Sequence, residues 1–239
     1  LTSSLAGSLQ AQGKYDDAEP LFREALEVSR RTLGDEHPNT LTSIAQMGAL
    51  LYAQGKYVEA EEMHIRALAG KEAQLGSTHP HTLNSLNNLA ALYAGEGRYD
   101  EAESLYKRSL TINEKAFGPE HPDGAIYLDN LGQLYESLAR YSEAQQLYKR
   151  ALKIHEKVFG PEHPEVAMSL NNLAYLYFNQ GRYAEAEPLY KRSLAILEKA
   201  FGPEHPAFAT SLGNLGLLYN SQDRYDEVEP LYKRSLAIL

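Results

Sequence analysis

The sequence predicts an all-α array of stacked antiparallel helix pairs, and three observations carry that prediction. The dipeptide His-Pro recurs at His37, His79, His121, His163 and His205, each step being 42 residues. A tyrosine recurs at the same spacing at Tyr15, Tyr57, Tyr99, Tyr141, Tyr183 and Tyr225. Between the two ladders, apolar residues fall at three- and four-residue intervals, the period of an amphipathic helix. Self-similarity at a fixed period of this size marks a protein in which each unit packs mainly on its neighbours. The repeats run approximately over 1–36, 37–78, 79–120, 121–162, 163–204 and 205–239, one array over the whole chain.

The third repeat shows the plan of each unit. Its first helix begins at Pro80, because proline suits the first helical position, where its missing N–H would be unsatisfied anyway. Leu83, Leu86, Leu89, Ala90, Leu92 and Tyr93 form the apolar stripe. Gly97 then stands where a left-handed cap would end the helix; the matching residues are Gly13, Gly55, Ala139, Gly181 and Asp223. The second helix starts near Tyr99 and carries Ala102, Leu105, Tyr106, Ser109, Leu110, Ile112 and Phe117, until Gly118 and Pro119 stop it. Small residues at Ala90, Ala102 and Ser109 let the two backbones approach, while Tyr93, Tyr99 and Tyr106 are expected to fill the space beside them.

The pattern Leu-Ala-x-x-Tyr-x-x-x-Gly-x-Tyr-x-x-Ala-x-x-x-Tyr-x-x-Ser-Leu, from Leu89 to Leu110, resembles the tetratricopeptide repeat. It departs from that family's usual period by eight residues, roughly two turns or about 12 Å of helix. The apolar pattern places them at the end of the second helix. The long period, the Gly-x-x-His-Pro loop and the Leu-Asn-Asn-Leu-Ala runs at Leu86–Ala90 and Leu170–Ala174 resemble the kinesin light chain type of repeat. The resemblance implies a right-handed superhelical α-solenoid of about six units. First helices would line a concave face that holds an extended peptide or a segment of a partner protein.

Polar positions on the first helices that the core does not require are the candidate contact residues. One position reads Gln46, Asn88, Asn130, Asn172 and Asn214 in successive repeats. Asparagine is a mediocre mid-helix residue, and its amide can both donate to and accept from a peptide backbone. By resemblance this is where tetratricopeptide proteins clamp peptide ligands; alternatively, the amides bond to neighbouring helices and align the stack. The adjacent position varies through Asn87, Asp129 and Asn171, and others bring Gln133, Tyr175, Glu136 and Phe178. A constant amide ladder beside changing side chains suits backbone capture with selective pockets. Tyr175 and Phe178 are apolar anchors of the kind that dominate binding when buried, although Phe178 could equally pack within the stack.

Charge narrows the expected ligand. First helices of the second to sixth repeats, over 39–54, 81–96, 123–138, 165–180 and 207–222, contain no lysine or arginine. The basic residues with which chaperone-binding relatives grip a carboxylate, and kinesin light chains an acidic motif, are therefore missing. A neutral or basic, partly apolar segment is expected, contacted near Asp129 and Glu136. The basic pairs Lys107-Arg108, Lys149-Arg150, Lys191-Arg192 and Lys233-Arg234 lie on the second helices instead. Glu103, Glu187 and Glu229 stand four residues before Lys107, Lys191 and Lys233, an order that stabilises a helix, so a convex anion-binding stripe is disfavoured.

Other function classes find little support. A net charge of −9 disfavours nucleic acid and acidic lipid as partners. Zero cysteines exclude thiol catalysis and cysteine-bound zinc, and are compatible with the cytoplasm, where the protein is expected. No apolar run approaches the roughly 18 residues of a membrane span, and no signal segment is present. The loop histidines should stand about 10 Å or more apart, too far to share a metal. No cofactor motif or catalytic constellation is visible, so no enzyme is expected. The chain starts and stops inside repeats, at Leu1 and Leu239, and reads as a fragment of a longer protein. Open ends also allow a second reading, an array that self-assembles or spaces and regulates an effector domain.

Overall fold

The computed structural model describes residues 2–238, which form twelve helices and no strand. They fall into two compact units that meet in sequence at Gly118 and Pro119. The first unit holds α1 (Thr2–Ala11), α2 (Tyr15–Leu33), α3 (Pro38–Ala53), α4 (Tyr57–Leu75), α5 (Pro80–Gly95) and α6 (Tyr99–Phe117). The second holds α7 (Pro122–Ser137), α8 (Tyr141–Phe159), α9 (Pro164–Asn179), α10 (Tyr183–Phe201), α11 (Pro206–Asn220) and α12 (Tyr225–Ile238). Within each unit every helix packs on the next in sequence, as stacked hairpins require. Leu1 and Leu239, on which the expectation of self-association through open ends rests, lie outside the described residues.

The His-Pro ladder turns out to be a capping device. Each proline is the first helical residue, and the histidine before it is the N-cap, its Nδ1 accepting the N–H two residues on. The distance is 3.2 Å for His37 to Asn39 and 3.3 Å for His121 to Asp123. This satisfies one of the donors that every helix start leaves open. Second helices of 19 residues, against 16 in α3, α5, α7 and α9, accommodate the lengthened repeat.

Small residues on the first helix meet a ring on the second. A Cβ built on Gly132 would lie 2.7 Å from the Tyr148 ring, one on Gly216 2.6 Å from Tyr232, and one on Gly48 3.1 Å from His64. Ala90 and Ala174 hold the same position and are fully buried. His64 is therefore a packing residue; burial, with Lys71 nearby, lowers its pKa to about 4 and keeps it neutral. Tyr93 and Tyr106 fill the core as expected, but Tyr99 is 40% exposed. It is the first residue of α6, immediately after the hairpin turn.

Contacts between repeats within a unit combine an apolar seam with a polar clamp. In the second unit Val166, Leu170, Ile196, Leu197, Phe208 and Leu212 form one buried cluster; in the first, Leu26, Leu41, Ile44, Ala45 and Ala67 form another. The buried seam also admits polar pairs, Lys71 Nζ to Ser85 Oγ at 3.0 Å and His155 Nδ1 to Ser169 Oγ at 2.8 Å. At the hairpin turn the Arg98 guanidinium lies 3.9 Å over the Tyr93 ring and donates to Glu61 of the preceding repeat at 2.8 Å. Arg224 repeats this over Tyr219, at 3.8 Å, with Glu187 at 2.8 Å. Hydrogen bonds from Arg224 and Lys191 hold the Glu187 pKa down at about 2.

The turn residues take positive φ throughout, from Gly181 at 70° to Gly97 at 79°, and Ala139 and Asp223 are forced to 57° and 59°. For alanine that conformation is strained by about 1–2 kcal/mol. Ala139→Gly should therefore stabilise the second unit by about 1 kcal/mol, read as a higher denaturation midpoint with unchanged helicity. An unchanged or lower midpoint would show that the strain is relieved elsewhere.

Candidate functional site

The amide ladder occupies one register of the first helices and none of its members is buried. Gln46 and Asn88 are exposed, and Asn130, Asn172 and Asn214 are half-buried. Helical periodicity explains this. The apolar residues two before and one after each amide (Ile44 and Met47 about Gln46, leucines about the asparagines) are buried, which leaves the amide on the outer surface of the first helix.

In the second unit this surface carries two depressions. One, of about 430 Å³, is lined by Gln133, Glu136, Ser137, Tyr148, Asn171, Asn172, Tyr175, Asn179 and Asn214. The other, of about 420 Å³, is lined by Ile126, Asp129, Asn130, Gln133, His155, Glu165, Met168, Asn171, Asn172, Thr210 and Asn214. They share Gln133, Asn171, Asn172 and Asn214 and so form one groove across α7, α9 and α11, with α8 beneath. Asn130, Asn172, Asn214, Asp129, Asn171, Gln133, Tyr175 and Glu136 are thus brought together. Asn88 instead lines a smaller depression of about 230 Å³ in the first unit, with Ala49, Tyr52, His64, Ala91 and Leu92. Gln46, Asn87 and Phe178 line none of the three. Phe178 is half-buried, its ring 6.2 Å from that of Tyr175 and 5.8 Å from that of Tyr183.

The amides are engaged inside the stack as well as facing the groove. Asn171 Nδ2 donates to Ser211 Oγ at 3.0 Å, and Asn172 hydrogen-bonds the Asp129 carboxylate. Glu136 accepts from Asn179 at 2.6 Å and from Tyr148 at 3.0 Å. No protein donor reaches Asp129 Oδ1 or Asn171 Oδ1, although neither atom meets solvent. Burial raises the Asp129 pKa to about 7, opposed by the Asn172 hydrogen bond and reinforced by the Glu165 charge. Burial likewise raises that of Glu136. None of the groove-lining residues is lysine or arginine.

Three exposed apolar residues line the groove, and a fourth, Leu217 on α11, stands at the repeat position of Tyr175. Tyr175 is 47% and Leu217 46% exposed in one row; Ile126 is 49% and Met168 54% exposed in another. The second row escaped the sequence reading. Ile126 and Met168 hold the place of the polar residues Thr42, Asn84 and Thr210 in sibling repeats, and that departure was the available signal.

The basic pairs of the second helices are largely neutralised where they stand. Lys107, Lys191 and Lys233 pair with Glu103, Glu187 and Glu229 at 2.5, 2.6 and 2.5 Å. Arg108, Arg192 and Arg234 pair with Glu72, Glu156 and Glu198 of the preceding repeats at 2.5, 2.8 and 3.0 Å. The His79 and His81 rings lie 5.2 Å apart, and no group of three or more histidine or carboxylate side chains suited to a metal exists among the described residues. No described helix is long and apolar enough to cross a membrane.

Asp129 provides a stability prediction. A carboxyl that holds its proton more tightly when folded loses stability as pH rises from the ordinary aspartate range to about 7. Asp129→Asn, which installs the residue of the matching positions Asn87 and Asn171, should raise the unfolding temperature at pH 8 and leave it unchanged at pH 4. Equal unfolding temperatures at both pH values would show that Asp129 ionises without penalty.

Comparison with known proteins places the array. The tetratricopeptide repeat family model matches in five overlapping segments, residues 1–73, 43–115, 81–157, 138–199 and 165–239. No curated protein sequence matches. Among solved structures, BtubC (BKLC) from P. vanneervenii superposes with a TM-score of 0.74 at 23% identity, covering 95% of this chain and 90% of that one. A kinesin light chain-like protein of Podospora anserina, with nearly identical tetratricopeptide-like repeats, gives 0.67 at 29% identity, covering 83% and 93%. The apo form of RapI gives 0.66 at 17% identity, covering 99% and 96%. With its twelve described helices in consecutive hairpins, matched end to end, the chain belongs to the tetratricopeptide repeat family.

Proposed function

We propose that this chain is a protein-interaction scaffold whose second unit binds an extended, partly apolar peptide segment of neutral or basic character. Tetratricopeptide arrays generally mediate protein–protein interaction and are generally non-enzymatic. The observation that carries the reading for this chain is the composition of the groove across α7, α9 and α11. Large apolar side chains at Ile126, Met168, Tyr175 and Leu217, each roughly half exposed, flank a row of amides on the same three helices. Exposed large apolar residues grouped on one face mark interaction surfaces. An extended peptide presents alternating backbone and side-chain groups, which suits amides between apolar rows. Three carboxylates and no lysine or arginine line the groove, which favours a ligand without acidic residues there.

The experiment is selection of nine-residue peptides from a random library on the whole chain, followed by affinity measurement on the best binder. Tyr175→Ala and Asn214→Ala should each weaken that peptide about tenfold or more, with helicity unchanged, since central anchors contribute about 2 kcal/mol. Ala91→Ser in the first unit should change little. Undiminished binding by both second-unit variants, or selection of acidic peptides, would overturn the reading.

A further inference from the structure

At the centre of this groove lies an arrangement more specific than a general preference for peptides. Asp129 sits on α7 and Asn171 holds the matching position on α9, the next first helix. Each has one side-chain oxygen, Oδ1, that receives no hydrogen bond and meets no solvent. Leaving such acceptors unmatched is costly, and more so for a charged group than for a neutral one. The rest of each side chain is committed: the Asp129 carboxylate to Asn172, and Asn171 Nδ2 to Ser211 at 3.0 Å. What is missing is therefore a donor, and a carboxylate prefers a charged one.

The walls beside these acceptors fit the stem of such a donor. Ile126 lies one turn before Asp129 on α7, and Met168 one turn before Asn171 on α9; they are 49% and 54% exposed. A lysine or arginine side chain combines an apolar stem with a cationic head, and stems of this kind settle along apolar surface while the head seeks polar partners. The depression of about 420 Å³ bounded by these four residues has room for one.

We propose that Asp129 and Asn171 form a subsite for a single alkylammonium or alkylguanidinium side chain, whose stem lies between Ile126 and Met168. This deepens the groove reading above and rests on it. Asp129 Oδ1 meets no solvent in the empty site, so occupation requires a turn of the carboxylate about its Cβ–Cγ bond, a soft torsion for aspartate, which exchanges the Asn172 hydrogen bond for one from the cationic head. Other titratable groups facing the site are Glu165 and Tyr175 on α9, Glu136 on α7, and His155 and Tyr148 on α8; from α11 come only the uncharged Thr210 and Asn214. Burial lowers the His155 pKa, opposed by the nearby Glu165. Asp129 itself titrates at about 7 in the empty site. A bound cation favours the carboxylate, so occupation releases a proton below that pH and is strengthened above it.

The test uses n-butylguanidinium and n-butylammonium, with neutral n-butylurea as control, followed by NMR through the side-chain amides of Asn171 and Asn172. At pH 8 saturable binding of at least one cation should be about tenfold or more tighter than that of n-butylurea, and should weaken about tenfold or more at pH 5.5. Comparison of the two cations shows whether the site favours lysine or arginine. Asp129→Asn should abolish the cation's advantage while circular dichroism shows a folded array, and Glu59→Gln, on the exposed first turn of α4, should retain it. Equal binding of n-butylurea, or cation binding that survives Asp129→Asn, overturns the subsite. Peptide capture that persists without cation selectivity would sink the subsite alone. Cation selectivity without any peptide capture would sink the extended-peptide reading and leave the subsite standing.

Discussion

The structure depends on how closely two helices of one hairpin can approach. Gly132 and Gly216 leave no room for a Cβ against Tyr148 and Tyr232, and Ala90 and Ala174 stand buried at the same place. A small residue facing a ring lets the backbones come together and buries the tyrosine along its length. Interior packing is dense enough that a larger residue there would force strain. Because that fit consumes the inward stripe of each first helix, the opposite stripe is left over. The amides and their neighbours occupy it for that geometric reason.

The two units differ in what they place on that leftover stripe. In the first unit the rows read Thr42 and Asn84, then Ala49 and Ala91, a surface of short polar groups and methyls. In the second they read Ile126, Met168 and Thr210, then Gln133, Tyr175 and Leu217, with Asp129 and Glu136 at the floor. The same backbone thus carries a bland face on one unit and a chemically varied face on the other. Side-chain substitution within a fixed frame is how repeat proteins change partners without changing fold.

Charge is distributed with a comparable division. On the second helices, Lys107, Arg108, Lys191, Arg192, Lys233 and Arg234 are paired with carboxylates on their own helix or the preceding repeat. Arg98 and Arg224 are held over tyrosine rings and bonded to Glu61 and Glu187. Each such exposed pair is worth little by itself, but together they leave these cations engaged in the stack. The carboxylates of the second-unit groove have no lysine or arginine among its lining residues, which gives that surface its acceptor character.

The 42-residue ladder determined the helix pairs, their boundaries near proline and glycine, and the register of the amides, because all of these follow from local spacing. Sequence also showed that first helices lack basic residues, and that lysines on second helices have glutamates four positions before them. Tertiary structure decided what spacing cannot express. The histidines proved to be caps because backbone geometry brings Nδ1 to an N–H two residues on. The ring of Phe178 stands 6.2 Å from that of Tyr175 and 5.8 Å from that of Tyr183, and Tyr99, at the start of α6, is 40% exposed. The arginine clamps, and the groove shared by Asp129, Asn171, Ile126 and Met168, join residues about one repeat apart. Such contacts depend on how one hairpin lies against the next, and a repeating pattern along the chain does not specify that distance.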